Sequence, residues 1–153
     1  LTIRRSHLLE KANLLGAVLT VAFYVLAILV FVFRLLSRPA YARVAGWAEL
    51  ALALPLAYLL VTAPALKRPA LYQVQVGLML AWLIVELVLD YILRVPFREV
   101  RWAVIGYVTL FFAGTGGMLG VASQAGRVWV IPSVALFLTM AVLAFVQRAV
   151  TGM

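Results

Sequence analysis

The chain has no cysteine and a single histidine, His7. Without thiols it can form no disulfide, thiolate nucleophile, iron–sulfur cluster or cysteine zinc site. The lone imidazole stands outside the first apolar run, which excludes histidine-pair haem ligation in a bilayer and an HExxH metalloprotease. A serine–histidine dyad would require His7 to fold back into the membrane. Only one aspartate, Asp90, is present, so a two-aspartate intramembrane protease is not available. No lysine falls inside an apolar run, so a retinal-type Schiff base has no nitrogen to use. The dense acidic and histidine ligand sets of metal-dependent lipid enzymes are also missing, and neither metal nor other cofactor is expected.

Charge is equally scarce. Asp, Glu, Lys and Arg supply 12% of the 153 residues, while hydrophobic residues supply 67%. A globular protein has about twice that charge and about 45–50% apolar residues. So few charges cannot cover a water-soluble surface. Disorder, collagen and coiled coil fail on the same composition, and an integral membrane protein remains.

About twenty apolar residues are needed to cross roughly 30 Å of hydrocarbon at about 1.5 Å per residue. Runs at about 12–36, 45–66, 70–93, 102–122 and 128–146 meet that length. They are solidly Leu, Val, Ala and Phe, without the alternation of a β-barrel. The breaks carry charges or helix breakers: Arg34, Arg38-Pro39 and Arg43; Pro64 and Lys67-Arg68-Pro69; Arg94, Pro96, Arg98 and Arg101; Gly126-Arg127. Each break is too short for a folded extramembrane domain. The expected fold is all-α, a polytopic bundle of five transmembrane helices forming one domain over 1–153. The first run is too long for a signal-peptide core and no small-residue cleavage site follows it.

The net charge of +8 comes from short clusters between the runs, where anionic lipid headgroups rather than nucleic acid are the matching partner. With five spans, Arg4, Arg5, Lys11, Lys67, Arg68 and Arg127 share the side of the N-terminus. Arg34, Arg38, Arg43, Arg94, Arg98, Arg101 and Arg148 share the other. Six against seven gives almost no bias. The two densest loops, 34–43 and 94–101, favour an N-terminus outside, and the near balance also suits insertion in both orientations. A multi-pass location in the cell membrane is expected.

Of the five acids, Glu10 and Glu99 lie among loop bases and read as solvated partners. Glu49, Glu86 and Asp90 lie within spans, where carboxylates cost several kcal/mol and usually face the bundle interior or a water-filled cavity. Helix direction puts all three in one leaflet, the one bordered by Arg34, Arg94, Arg98 and Arg101. In the third span Glu86, Asp90 and Arg94 are spaced i, i+4, i+8. Extended backward, that face gains Met79, Gln75 and Tyr72. The stripe reads either as the wall of a ligand or proton pathway, or as a packed helix face with an Asp90–Arg94 salt bridge. Trp47 beside Glu49 suits the membrane interface. Glu86 is the deepest acid, about two turns in, and has no i+4 base. It is the first candidate for a ligand- or proton-binding residue, followed by Asp90, Glu49, Gln75 and Arg94. No catalytic residue is assigned.

The fourth span carries Gly114, Gly116, Gly117 and Gly120, with a GxxxG at Gly116 and Gly120. Small residues let helix backbones approach closely in lipid. Packing on a neighbouring helix or a second copy is the main expectation, and local unwinding that exposes carbonyls is the other. Pro55 predicts a kink in the second span, and Pro132 falls in the first turn or so of the fifth. Tyr24, Tyr58 and Tyr107 lie deep enough to need hydrogen-bond partners.

These features favour binding or transport of a small hydrophobic or cationic solute, in a cavity bordered by Glu86 and the other intramembrane carboxylates. Membrane lipids and a second copy through the fourth span are the expected partners, and a non-catalytic accessory or scaffold subunit of a membrane complex is the alternative role. An intramembrane enzyme acting on a lipid or isoprenoid comes third, since no nucleophile or electrophile accompanies the acids.

Overall fold

In hydrocarbon every backbone N–H and C=O must be satisfied within its own segment, so apolar runs of this length become helices. The computed structural model describes residues 2–94 and 96–151, which are helical apart from short turns and contain no strand. Among them five stretches are long and apolar enough to cross a membrane: Ile3–Leu35, Pro39–Thr62, Ala70–Ile92, Arg101–Ser123 and Arg127–Val150. The chain is a multi-pass, all-α membrane protein.

The first helix, α1 (Thr2–Leu35), starts about ten residues before the expected first span. No proline or glycine interrupts Arg4 to Lys11, so this charged stretch continues the helix rather than forming a loop. Its 34 residues reach about 51 Å, well beyond the hydrocarbon thickness. α1 ends in a Schellman arrangement. Ser37 takes a left-handed φ of 57°, its N–H bonds Arg34 O, and the next N–H bonds Phe33 O.

The second span is two helices, α2 (Pro39–Ala51) and α3 (Ala53–Thr62). Pro55 has no N–H for the carbonyl of Ala51 and its ring crowds that turn. The break therefore falls at Leu52, whose N–H bonds Glu49 O at 3.1 Å, one turn before the proline itself. A second Schellman turn, with Lys67 at φ 52°, leads into α4 (Ala70–Glu86). The third span does not continue as α-helix. Leu87–Ile92 is π-helical, and Leu93 N–H bonds Val88 O, five residues back, at 2.8 Å. A 3-10 turn at Phe97–Glu99 precedes α5 (Arg101–Ser123), and Gly126 at φ 113° separates α5 from α6 (Arg127–Thr151).

The spans alternate in direction. The starts of α1, α4 and α6 share one end with the ends of α3 and α5. The finish of α1, the π segment and α6 shares the other with the starts of α2 and α5, and this is called the arginine end below. α1 is central, packing on α2, α3, α5 and α6, while α4 packs on α3 and α5. Phe23, Tyr24, Leu56, Leu59, Met79, Leu83 and Met118 are fully buried between them.

Candidate functional site

Glu49 precedes the proline-induced break in α2, and Glu86 is the last α-helical residue before the π segment. These two irregularities lie in neighbouring spans at the same depth, and both side chains border one cavity of about 120 Å³. Glu49 is 3% exposed and Glu86 7%. The rest of the wall is mainly apolar and aromatic, from Ala27, Phe31, Trp82, Tyr107, Phe111 and Phe145, with Arg34, Arg98 and Arg148 toward the arginine end. Trp82 and Phe111 meet edge-on with ring centres 5.0 Å apart. The charge of Arg34 acts on both carboxyls.

Partners are incomplete at this cavity. Tyr107 Oη donates to Glu86 Oε1 at 3.4 Å, a long bond. Glu86 Oε2 is buried with no hydrogen-bond partner, and so is Trp82 Nε1, one turn earlier on the same face. A buried polar atom left in this state costs about 1–3 kcal/mol. Both residues line the same small cavity. A group that accepts from one and donates to the other, such as a hydroxyl or water, would satisfy both.

Asp90 and Arg94 do not form the intrahelical pair that four-residue spacing suggests. The π segment adds a residue per turn and so rotates Asp90 off the α-helical stripe. Arg94 leaves the helix with φ 50° and is exposed. Asp90 instead accepts two parallel bonds from Arg98, Nη1 to Oδ1 at 2.8 Å and Nη2 to Oδ2 at 2.9 Å. Burial opposes the charge of Arg98, but the bonds to Asp90 outweigh it, and the net push on this guanidinium is upward. Arg98 remains a cation across the physiological range. Its guanidinium carbon also lies 5.8 Å from the Tyr107 ring centre, which connects Asp90 to Glu86 through Arg98 and Tyr107.

Gln75 does not border the cavity. It lies nearer the other end of α4, against Gly117 and Gly120 of α5. A Cβ on Gly117 would stand 3.4 Å from the Gln75 backbone, and one on Gly120 would collide with the Gln75 amide. A Cβ on Gly114 would meet Met79 Cα at 3.1 Å and Leu78 O at 3.3 Å. Gly114, Gly117 and Gly120 therefore recur every three residues as the face on which α4 rests. Gly116 is not part of it, since a Cβ there would meet nothing within 4 Å. The glycines do not unwind the helix, because close packing on α4 holds α5 continuous from Arg101 to Ser123.

Of the three deep tyrosines, Tyr24 donates to Thr115 O in the buried core and Tyr107 reaches Glu86. Tyr58 is exposed, facing the lipid side of α3. Sequence reasoning missed Trp82 and Arg98 as members of the site. The first stands four residues before Glu86, so stepping the acidic stripe back one turn would have found it. The second is brought to Asp90 by the turn after the π segment, which spacing along a regular helix does not signal.

Chemically, the cavity wall carries two carboxyls, one indole donor, aromatic faces and, toward the arginine end, Arg34, Arg98, Arg148 and Gln147. Among the described residues no three His, Cys, Asp or Glu side chains cluster in a way that could hold a metal ion. No protein-family model matches the chain, and neither a curated protein nor a solved structure is significantly similar to it.

Proposed function

We propose that the protein binds and transports a small hydrophobic or cationic solute in the cavity between α1, α2, α4, α5 and α6, with Glu86 as its central residue. The observation that carries this reading is the pair of orphaned polar atoms, Glu86 Oε2 and Trp82 Nε1, on one aromatic-walled cavity beside a second buried carboxyl. A ligand hydroxyl would satisfy both, accepting from Trp82 Nε1 and donating to Glu86 Oε2, whereas an ammonium would satisfy only the carboxyl. Aromatic faces and the two carboxyls attract a cation, but Arg34, Arg98 and Arg148 border the same cavity and oppose it, so the hydrophobic solute with a hydroxyl is the favoured form. The volume of about 120 Å³ limits the bound part to a small group, since an apolar cavity of about 150 Å³ accommodates benzene. In this reading the protein acts in the cell membrane, and self-association through Gly114, Gly117 and Gly120 has no part, because that face rests on α4.

Native mass spectrometry of protein released gently from membranes tests the reading. A defined small-molecule adduct should accompany the native protein and be lost in Glu86→Gln. It should also be lost in Ala144→Phe, which fills the cavity and leaves both carboxyls in place. A stoichiometric protein partner without an adduct, unchanged by either substitution, would overturn it in favour of an accessory subunit.

A further inference from the structure

Beside the cavity, at the arginine end, lies a second and larger hollow of about 500 Å³. It shares Arg34, Arg98 and Gln147 with the cavity, so the two are neighbours with common walls. Arg34 comes from the last turn of α1, Arg43 from the start of α2, Asp90 and Tyr91 from the π segment, and Arg94 from the turn that follows. Separate elements have thus brought four arginines to one concavity.

Protein carboxyls answer the charges of Arg98 and Arg34 but, among the described residues bordering the hollow, not those of Arg43 and Arg94. Asp90 is the only carboxylate bordering the hollow among the described residues, and both of its oxygens are bonded to Arg98. Arg34 acts inward on Glu49 and Glu86. Arg43 and Arg94 face the hollow with no carboxylate across from them. The guanidinium carbon of Arg43 lies 5.8 Å from the centre of the Tyr91 ring, which also borders the hollow. Arg94 stands there on a left-handed backbone, φ 50°, that side-chain-bearing residues rarely adopt.

We propose that this hollow is an oxyanion site that takes a phosphate group between Arg43 and Arg94, with Arg34 at its inner edge. The planar guanidinium fork matches phosphate in two parallel hydrogen bonds, and the several oxygens of phosphate can engage more than one fork at once. The hollow lies where the spans end, at the level of lipid phosphates. Its ligand is therefore a phosphate carried either by a lipid headgroup or by a soluble molecule. This site is separate from the proposed solute site and does not depend on it.

The test is native mass spectrometry of the full chain in mixed micelles, titrated with phosphatidic acid or with inorganic phosphate at constant ionic strength. One of these probes should give a one-to-one adduct. Arg43→Gln and Arg94→Gln should each weaken it about tenfold, as expected for loss of a charge-assisted bond. Arg94→Lys, which keeps the charge and loses the fork, should fall between. Arg38→Gln is the control, an exposed arginine at the same end that does not border the hollow. All four substitutions are at exposed side chains, and an unchanged thermal midpoint without probe establishes that each variant folds. An adduct with phosphatidic acid alone identifies a lipid headgroup, and one with inorganic phosphate a soluble source. No adduct with either probe, or equal weakening in Arg38→Gln, overturns the proposal. Glu86→Gln should leave this adduct intact, so failure here and failure of the solute reading are scored separately.

Discussion

At the end where the chain begins, α4 and α5 lie backbone against backbone. Gly114 sits on Leu78 and Met79, and Gly117 and Gly120 sit on Gln75. Three hydroxyls of the buried core here are satisfied: Thr20 Oγ1 donates to Gly16 O at 2.8 Å, Thr115 Oγ1 donates to Phe111 O at 2.8 Å, and Tyr24 donates to Thr115 O. At the arginine end the same two spans carry Trp82, Glu86, Tyr107 and Phe111. They border a cavity and leave a carboxyl oxygen and an indole N–H without partners. In one half α4 and α5 close on each other, and in the other they part around a cavity. Buried polar atoms without a partner occur in both, at Asn13, Arg68 and Ser133 in the first and at Trp82 and Glu86 in the second. The difference follows from side-chain size. Glycines let α5 settle on α4, whereas large rings, a π segment and a proline break prevent closure on the opposite side.

Substitutions can break that contrast, and their effects should follow it. The largest loss is expected at Gly114→Leu, where a side chain would press on the α4 backbone. Overpacking should cost about 3 kcal/mol, while Gly116→Leu should stay within about 0.5 kcal/mol. Equilibrium unfolding in micelles compares the two, and equal losses would mean that α5 does not use its glycines as described. Asp90→Asn comes next. A fully buried pair broken on one side costs about 3–5 kcal/mol and an exposed one under about 1 kcal/mol. The Arg98 and Asp90 side chains are 29% and 15% exposed, so about 2 kcal/mol is expected, with almost none for Arg94→Gln. The reverse ranking would restore the intrahelical Asp90–Arg94 pair. Tyr24→Phe removes a bond in the closed half and should cost about 1 kcal/mol, within the range measured for hydrogen bonds between membrane helices. Smallest of all, Glu86→Gln should change stability by less than about 0.5 kcal/mol, because Oε2 has no protein bond to lose. A large loss there would show that the carboxyl serves packing, and the contrast between the halves would fall.

Much of this architecture was legible from composition and run length alone. Hydrocarbon thickness sets the length of a span, so the apolar runs indicated five crossing helices with boundaries within about four residues, apart from the starts of α1 and of the second span, which begins at Pro39 rather than 45. Alternation of direction then put Glu49, Glu86 and Asp90 in one leaflet, because that depends only on which break each acid is nearest. Side-chain direction was harder. A 100° rotation per residue carried Tyr72, Met79 and Glu86 correctly to the buried face, since α4 is regular up to Glu86. Beyond that residue the rule failed. The π segment changes the rotation per residue, and Asp90 and Arg94 went to different surroundings.

The amino-acid sequence by itself therefore determined that this is a five-span helical membrane protein with its costly acids gathered toward one end. Backbone hydrogen bonding and transfer from water to lipid are properties of single segments and need no knowledge of neighbours. Only the tertiary structure decided which acid meets which base, that Gln75 belongs to the glycine interface, and that Trp82 shares a cavity with Glu86. Those outcomes depend on how two helices with different irregularities fit side by side, and no local pattern in either one records the fit.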